Sequence, residues 1–139
     1  MLLSLEPWKQ HLAGAVTAEI TLAADLESAR KNQALPSVTL VNGRERVSHA
    51  DRHPHVRHRV STEVMLVTGV ARYGSSQFGT GKDQLAELRE PLLERLIHWI
   101  PPGAELAVRW NGGQILTLTS AALYWVDVLS TVYWWGDST

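Results

Sequence analysis

The clearest pattern along the chain is an alternation of apolar and polar positions over residues 60–70. The even-numbered residues from Val60 to Val70, which include Thr62 and Thr68, share one side of this run, and the odd-numbered residues from Ser61 to Gly69 occupy the other side. Side chains that alternate in this way project from opposite faces of an extended chain. The run therefore predicts a long strand with one more apolar face.

A second pattern, in which apolar residues recur every three or four positions, covers residues 85–100. Its apolar members are Leu85, Leu88, Leu92, Leu93, Leu96, Ile97, Trp99 and Ile100. This spacing predicts a long amphipathic helix, because residues three and four apart lie on one helical face. We expect Thr80 or Asp83 to cap its start, and Pro91 to kink or split it because proline has no backbone donor.

Turn residues divide much of the remaining chain into short strands. Residues 37–41 predict a strand that the Asn-Gly pair at residues 42–43 ends, and residues 106–110 predict another. The Asn-Gly-Gly triplet at residues 111–113 predicts a hairpin turn, from which a short strand returns. The aromatic-rich run over residues 123–135 predicts the closing strand of a three-stranded meander.

The N-terminal part predicts two short helices, one around Trp8 and Leu12 and one over residues 23–31. Residues 17–22 suit either a short strand or a continuation of the first helix. Together the elements predict an α+β fold, with a mostly antiparallel four- to five-stranded sheet and helices packed on one face. A length of 139 residues suits a single domain over residues 1–139.

Composition narrows the classes of function. The chain has no cysteine, which excludes disulfides, thiolate nucleophiles and cysteine-bound zinc. Its net charge of -1 gives no general attraction to nucleic acid or to an anionic membrane. No apolar run reaches the ~20 residues of a membrane span, and the N-terminus lacks a signal-peptide pattern. We therefore expect synthesis in a cytoplasm and no membrane partner.

No motif for catalysis or for a cofactor stands out. No serine lies in a nucleophile motif, and the Gly81-Lys82 pair precedes Asp83, which would repel the phosphate that a P-loop binds. Asp127 is the only carboxylate on the aromatic strand, and we expect it at a solvent-facing or subunit-facing position. The chain is therefore expected to hold no cofactor and to be no enzyme.

Arginine and histidine are concentrated in residues 44–59, which we interpret as a long loop. The arginines are Arg44, Arg46, Arg52, Arg57 and Arg59, and the histidines are His49, His53, His55 and His58. Five arginines against Glu45 and Asp51 leave a charge of +3 with the histidines neutral. Three interpretations stay open: a docking loop for an acidic protein surface, a patch facing nucleic acid, and a solvated loop.

The order of these elements resembles the tail terminator proteins of long-tailed bacteriophages. The resemblance rests on the proline-led strand at residues 35–41, the long strand, and the leucine-rich helix that ends at residues 99–103 (Trp-Ile-Pro-Pro-Gly). A glycine-rich turn and the final strand around residues 124–126 (Tyr-Trp-Val) agree with it. We match the Arg/His-rich segment to no part of the family pattern.

The resemblance implies a structural protein of the virion that caps the growing tail tube, usually as a hexameric ring. Such a ring ends tube polymerisation and forms the tail side of the head–tail junction, at the upper end of the tail. The implied partners are copies of the same chain, the tail tube protein and a head-completion or neck protein. Genomic DNA passes through the ring without sequence-specific binding, and no membrane takes part. The protein would be made in the host cytoplasm.

A ring needs two different, complementary patches on each subunit, because every contact in it is heterologous. We hypothesise that the basic segment with exposed tryptophans forms one patch and that acidic residues of the long helix form the other. The candidate interface residues are Arg44, Arg46, Arg52, His53, His55, Arg57, Arg59, Asp83, Glu87, Glu90, Glu94, Trp134 and Trp135. The two terminal tryptophans point to opposite faces, so at least one should be exposed as an interface anchor.

Other interpretations stay open. A head-closure or neck connector protein would share the size and symmetry of a tail terminator. A metal-binding protein would use the histidines between His49 and His58, whose spacing could bring two or three imidazoles onto one ion, although no metalloenzyme motif accompanies them. A nucleic-acid-binding module is disfavoured by the net charge of -1.

Overall fold

The computed structural model describes residues 3–31, 34–48, 58–72 and 78–136, with side chains from residue 83 onwards in the last range. Its helices are α1 (Glu6–Leu12), α2 (Leu26–Arg30) and α3 (Phe78–Leu96), and its strands are β1 (Ile20–Ala23), β2 (Ser37–Ser48), β3 (His58–Ala71), β4 (Arg109–Leu118) and β5 (Ala122–Trp135). The described strands form one sheet in the order β1-β2-β3-β5-β4. β1 runs parallel to β2, and the other pairs are antiparallel. The predicted α+β class with a mostly antiparallel sheet is confirmed.

The first face of the sheet carries the main core. Val64, Leu66 and Leu129 lie on this face and are fully buried beneath α1 and α3. Trp8 of α1 and Leu92 of α3 pack in the same cluster and are also fully buried. Alternation along β3 and β5 puts every second residue on this side, so the core forms between the sheet and these two helices.

The second face carries a smaller apolar cluster beneath α2. Ala29 of α2 packs there with Val41, Val67 and Val126. α2 lies on the chain between β1 and β2, whose parallel pairing requires a crossover connection. The two longer helices therefore share one face, as predicted, whereas the short α2 covers part of the other.

Strand β2 continues through the Asn-Gly pair at residues 42–43, so the predicted strand end at that pair is wrong. A register irregularity between Asn42 and Glu45 forms a β-bulge that includes Gly43. A Cβ on Gly43 would lie 2.9 Å from the Cβ of Glu63, so glycine lets β2 and β3 stay paired. The predicted loop over residues 44–59 is wrong at both ends, which belong to β2 and β3, and its residues 49–57 lie outside the described ranges.

The predicted hairpin turn at residues 111–113 is also wrong, because it is a bulge inside β4. The chain instead reverses at residues 119–121. There the Thr119 hydroxyl accepts hydrogen bonds from the backbone amides of Ala121 and Ala122, at 3.2 and 3.0 Å. The predicted three-stranded meander is therefore a hairpin of two longer strands.

Helix α3 begins earlier than predicted, at Phe78, so the predicted caps lie inside it. It runs through Pro91 without a break. The carbonyl that this proline leaves without a helical donor belongs to Glu87, an exposed residue. The helix ends at Leu96, and the chain turns away at His98, which has a positive φ of 71°.

Candidate assembly surfaces

The described arginines of the predicted basic segment lie on the second face of the sheet. Arg46 lies opposite Ser61, and Arg59 lies opposite Ser48. These positions alternate with residues of the main core, so both arginines lie on the face away from α1 and α3. Arg44 and Arg46 are exposed. The candidates Arg52, His53, His55 and Arg57 lie outside the described residues.

A depression of about 220 Å³ crosses the sheet at the arginines. It is lined by Arg44, Arg46, Ser61, Glu63, Asn111 and Ser130, which belong to β2, β3, β4 and β5. The Asn111 amide donates to the Ser130 hydroxyl at 3.1 Å. Arg109 of β4 lies opposite Ser130 and is exposed. Sequence reasoning misses Arg109, because only strand pairing brings β4 to this region.

The second face is more basic than a count along the sequence suggests. Glu45 lies on the first face, where its carboxylate accepts a 2.5 Å hydrogen bond from the buried Tyr133 hydroxyl. Burial and the contact with this carboxylate raise the pKa of Tyr133 above its ordinary value of 10.0. Arg59 forms a partly exposed ion pair with Glu105 at 3.2 Å, a kind of contact that contributes little to stability. Glu63 is the acidic member of the depression.

The four acidic candidates form one row on the outer surface of α3. They are Asp83, Glu87, Glu90 and Glu94, and all four are exposed. Spacings of three and four residues place them on the helical side opposite the buried Leu88 and Leu92. Within the described part of the chain, none of the four carboxylates forms an ion pair. The row is therefore a solvated band of negative charge that faces away from the sheet.

Trp134 and Trp135, at the end of β5, are 39% and 50% exposed, which confirms that at least one reaches solvent. Trp134 lies opposite Arg59 on the second face. Trp135 lies opposite His58 on the first face, and the two rings stack with their centres 6.1 Å apart. Their role as interface anchors stays a prediction.

The expected solvent-facing or subunit-facing position of Asp127 is wrong, because its side chain has no exposed surface. Arg89 of α3 donates two hydrogen bonds to the Asp127 carboxylate, at 2.8 and 2.7 Å. The indole N–H groups of Trp110 and Trp125 donate two more, at 3.1 and 3.2 Å. We call these four residues the Asp127 cluster. Charge-assisted bonds of this kind compensate a carboxylate for its loss of water.

The Asp127 cluster ties the edge strand β4 to α3 and β5. Gly113 permits the close approach, because a Cβ there would lie under 3 Å from the Asp127 carboxylate and from the Trp125 indole nitrogen. Trp110 remains 47% exposed while its nitrogen is held. The sequence gives one signal for this cluster. Asp127 is two residues from the core residue Leu129, so alternation along β5 places both on the same side. With four donors on its two oxygens, the carboxylate acts as a structural anchor.

The described residues contain no group of three or more His, Asp or Glu side chains placed to hold a metal ion. Of the four histidines in the metal-binding alternative, His58 is described, whereas His49, His53 and His55 lie outside the described ranges. That alternative therefore stays a prediction. In the part of the chain that the structure describes, no helix is both long and apolar enough to cross a membrane.

The fold and its surfaces together define a structural domain. Its acidic row, the basic residues of its second face and its exposed tryptophans are available for contacts with other proteins. The family model for the phage tail terminator protein matches residues 1–137. A comparison with curated protein sequences found no match. The chain belongs to the phage tail terminator family, so it is a structural protein of a bacteriophage tail and a component of the virion. The resemblance drawn from the order of elements is confirmed.

Proposed function

We propose that the protein assembles with copies of itself into a hexameric ring that caps the tail tube and ends its polymerisation. The ring lies at the upper end of the tail and forms the tail side of the head–tail junction. Membership of the tail terminator family supports the tail role. The observation that supports assembly is that two oppositely charged surfaces lie on opposite outer sides of the molecule.

A cyclic ring is built from heterologous contacts, in which two different patches of the subunit meet. Here the basic residues lie on the second face of the sheet, and the acidic row lies on the outside of α3, beyond the first face. A two-fold dimer through either surface would place like charges opposite each other, which disfavours association. Head-to-tail association brings unlike charges together, so this arrangement favours a ring.

The remaining surfaces of the ring serve its other partners. The tail tube protein binds one side and a head-completion or neck protein binds the other, while genomic DNA passes through without sequence-specific contacts. Exposed tryptophans at the end of β5 supply anchors for such contacts, since tryptophan is enriched among interface residues with large binding energies. The protein needs no cofactor and catalyses no reaction. Among the described acidic residues, the fully buried Asp127 is occupied by its donors, which supports a structural role.

Electron microscopy of lysates from a phage that lacks this gene tests the proposal, with the same phage complemented by the wild-type gene as the control. We expect overlong tubes beside filled heads without tails, because nothing ends polymerisation or completes the junction. Tails of normal length detached from heads would contradict length termination and assign the protein to the neck. Normal virions would refute both roles.

A further inference from the structure

Beyond the α2 cluster, the second face of the sheet has a region that no described element of the chain covers, and we call it the uncovered region. The apolar cluster beneath α2 includes Val41 and Val67. Farther along the same two strands, this face carries Arg46 opposite Ser61 and then Ser48 opposite Arg59. The change from apolar to charged and hydroxyl side chains shows that this region is suited to a polar contact, not to the chain's own core.

The uncovered region and the acidic row carry opposite charges that are not neutralised by ion pairs among the described residues. Arg44, Arg46 and Arg109 form no ion pair there, and three arginines against Glu63 leave +2. Arg59 is left out of this count because it pairs with Glu105 in the same chain. The acidic row contributes four negative charges on α3. The two surfaces are thus electrostatically complementary.

Their dimensions also agree. Asp83 and Glu94 mark the ends of the acidic row, which spans about 16 Å at the helical rise of 1.5 Å per residue. The basic region crosses from β2 through β3 and β5 to β4, which is about 14 Å at the usual spacing between strands. A helix laid across the strands therefore brings its row of carboxylates along the whole width of the basic region.

We propose that, in the ring, the outer surface of α3 of one copy docks onto the uncovered second face of the next copy. The depression lined by Arg44, Arg46 and the side chains around them receives a carboxylate of the acidic row. Its hydroxyl and amide groups, on Ser61, Ser130 and Asn111, supply further hydrogen-bond donors. This contact rests on the proposed ring and names the two surfaces that build it.

A second copy fits this surface better than nucleic acid does. Glu63 lies inside the depression and would repel a phosphate of a regularly spaced backbone. The glutamates of α3 are long side chains at separate positions, so they can reach the arginines on either side of Glu63. The net charge of -1 also gives DNA no general attraction to the chain.

Two charge-reversal variants test the contact. The face variant is Arg44→Glu with Arg46→Glu, and the helix variant is Glu87→Lys with Glu90→Lys. Each variant alone presents like charges at every contact of a ring. We expect the association constant of one contact between subunits to fall by about five-fold for each reversed pair, and so by about 25-fold for two pairs. This size follows from the usual strength of exposed ion pairs. Native mass spectrometry measures the loss of rings at a salt concentration where the wild type retains them.

Mixing the two variants supplies the decisive measurement. In a ring in which the two chains alternate, the reversed face of one variant meets the reversed helix of the other, and the remaining contacts join an unreversed face to an unreversed helix. Unlike charges then meet at every contact, so equal amounts should regain rings of alternating composition. Native mass spectrometry resolves this composition because the variants differ in mass. Lys31→Glu and Glu19→Lys are matched controls, since both residues are exposed and lie outside the two surfaces, and both should keep rings. Circular dichroism establishes that every variant is folded.

Several outcomes overturn the contact. The contact is overturned if rings persist in both single variants. It is also overturned if the folded variants stay dissociated when they are mixed. A face variant that keeps its rings but loses binding to a DNA duplex probe assigns the basic region to nucleic acid instead. Single variants that keep their rings and also give tails of normal length in a phage overturn the proposed contact, whereas the proposed function stands. A wild-type chain that forms no ring, alone or on tail tubes, overturns both.

Discussion

Replacing Arg89 by methionine should reveal how much the Asp127 cluster contributes to stability. The substitution removes both arginine hydrogen bonds from a carboxylate that has no exposed surface. Methionine keeps most of the length and the apolar contacts of the arginine stem, so the lost charge dominates the effect. The indole donors of Trp110 and Trp125 remain in place.

The expected loss follows from the burial of the remaining charge. Removing one partner of a buried ion pair costs about 3–5 kcal/mol, because the other charge stays buried without compensation. Arg89 is itself 17% exposed and two donors remain on Asp127, so we expect the lower end, about 3 kcal/mol. For 139 residues the unfolding entropy is about 0.3 kcal/mol per kelvin, so Tm should fall by about 10 °C.

Urea denaturation followed by circular dichroism, at one low protein concentration, measures this loss. Arg95→Met is the matched control, because Arg95 lies on the same helix, is exposed and donates to the backbone carbonyls of His11 and Ala13. The control should lose less than about 1 kcal/mol. The double variant Arg89→Met with Asp127→Asn should lose less than the sum of its single variants, since a neutral amide no longer needs the guanidinium. Equal losses for the two arginine variants, or an additive double variant, would refute the reasoning.

Three further predictions concern single positions. Gly113→Ala should destabilise the fold by about 1–3 kcal/mol in urea denaturation, because its Cβ would clash with the buried Asp127 carboxylate. Gly103→Ala has open space around it and should lose only roughly 1 kcal/mol from its positive φ, so equal losses would contradict this. A hydrogen bond from the backbone N–H of Ser28, in the first turn of α2, lowers the pKa of Asp25 below its ordinary 3.8, so the stabilisation by this cap is present above that pH and is lost as pH falls through the lower folded value. Asp25→Asn should therefore make the free energy of unfolding depend less steeply on pH on the acid side, and an unchanged profile would count against the cap. Because the pKa of Tyr133 is raised, its stabilisation is present below pH 10.0 and is lost as pH rises through the higher folded value. Burial also raises the pKa of Tyr124, so in an ultraviolet absorbance titration Tyr133→Phe should remove one late-titrating tyrosine and leave that of Tyr124, and a substitution that removes no late absorbance would sink this assignment.

The long elements were predictable because burial on one side leaves a periodic trace in the sequence. β3 appears as a period of two and α3 as a period near 3.6. The predictions failed at the Asn-Gly signals of residues 42–43 and 111–113, which overlap bulges inside strands. The same residue types suit a hairpin and a bulge, and the neighbouring strand decides between them.

The acidic row was predictable for a similar reason, since its members lie on one helix and their spacing alone places them on one side. The basic surface was not, because it combines β2 and β3 with Arg109 from β4 and excludes Glu45, which turns to the first face. Asp127 shows the same limit: its partner Arg89 is distant in sequence and meets it only when α3 packs on β5.

By itself, the sequence determined the long strand β3, most of the long helix α3, which residue types are charged, and the family to which the chain belongs. These properties are local or depend on the order of elements along the chain. Only the tertiary structure decided which charges share a surface and which carboxylate is buried. The physical reason is that strand order and the parity of the register bring side chains together across the sheet, and neither can be inferred from distance along the chain.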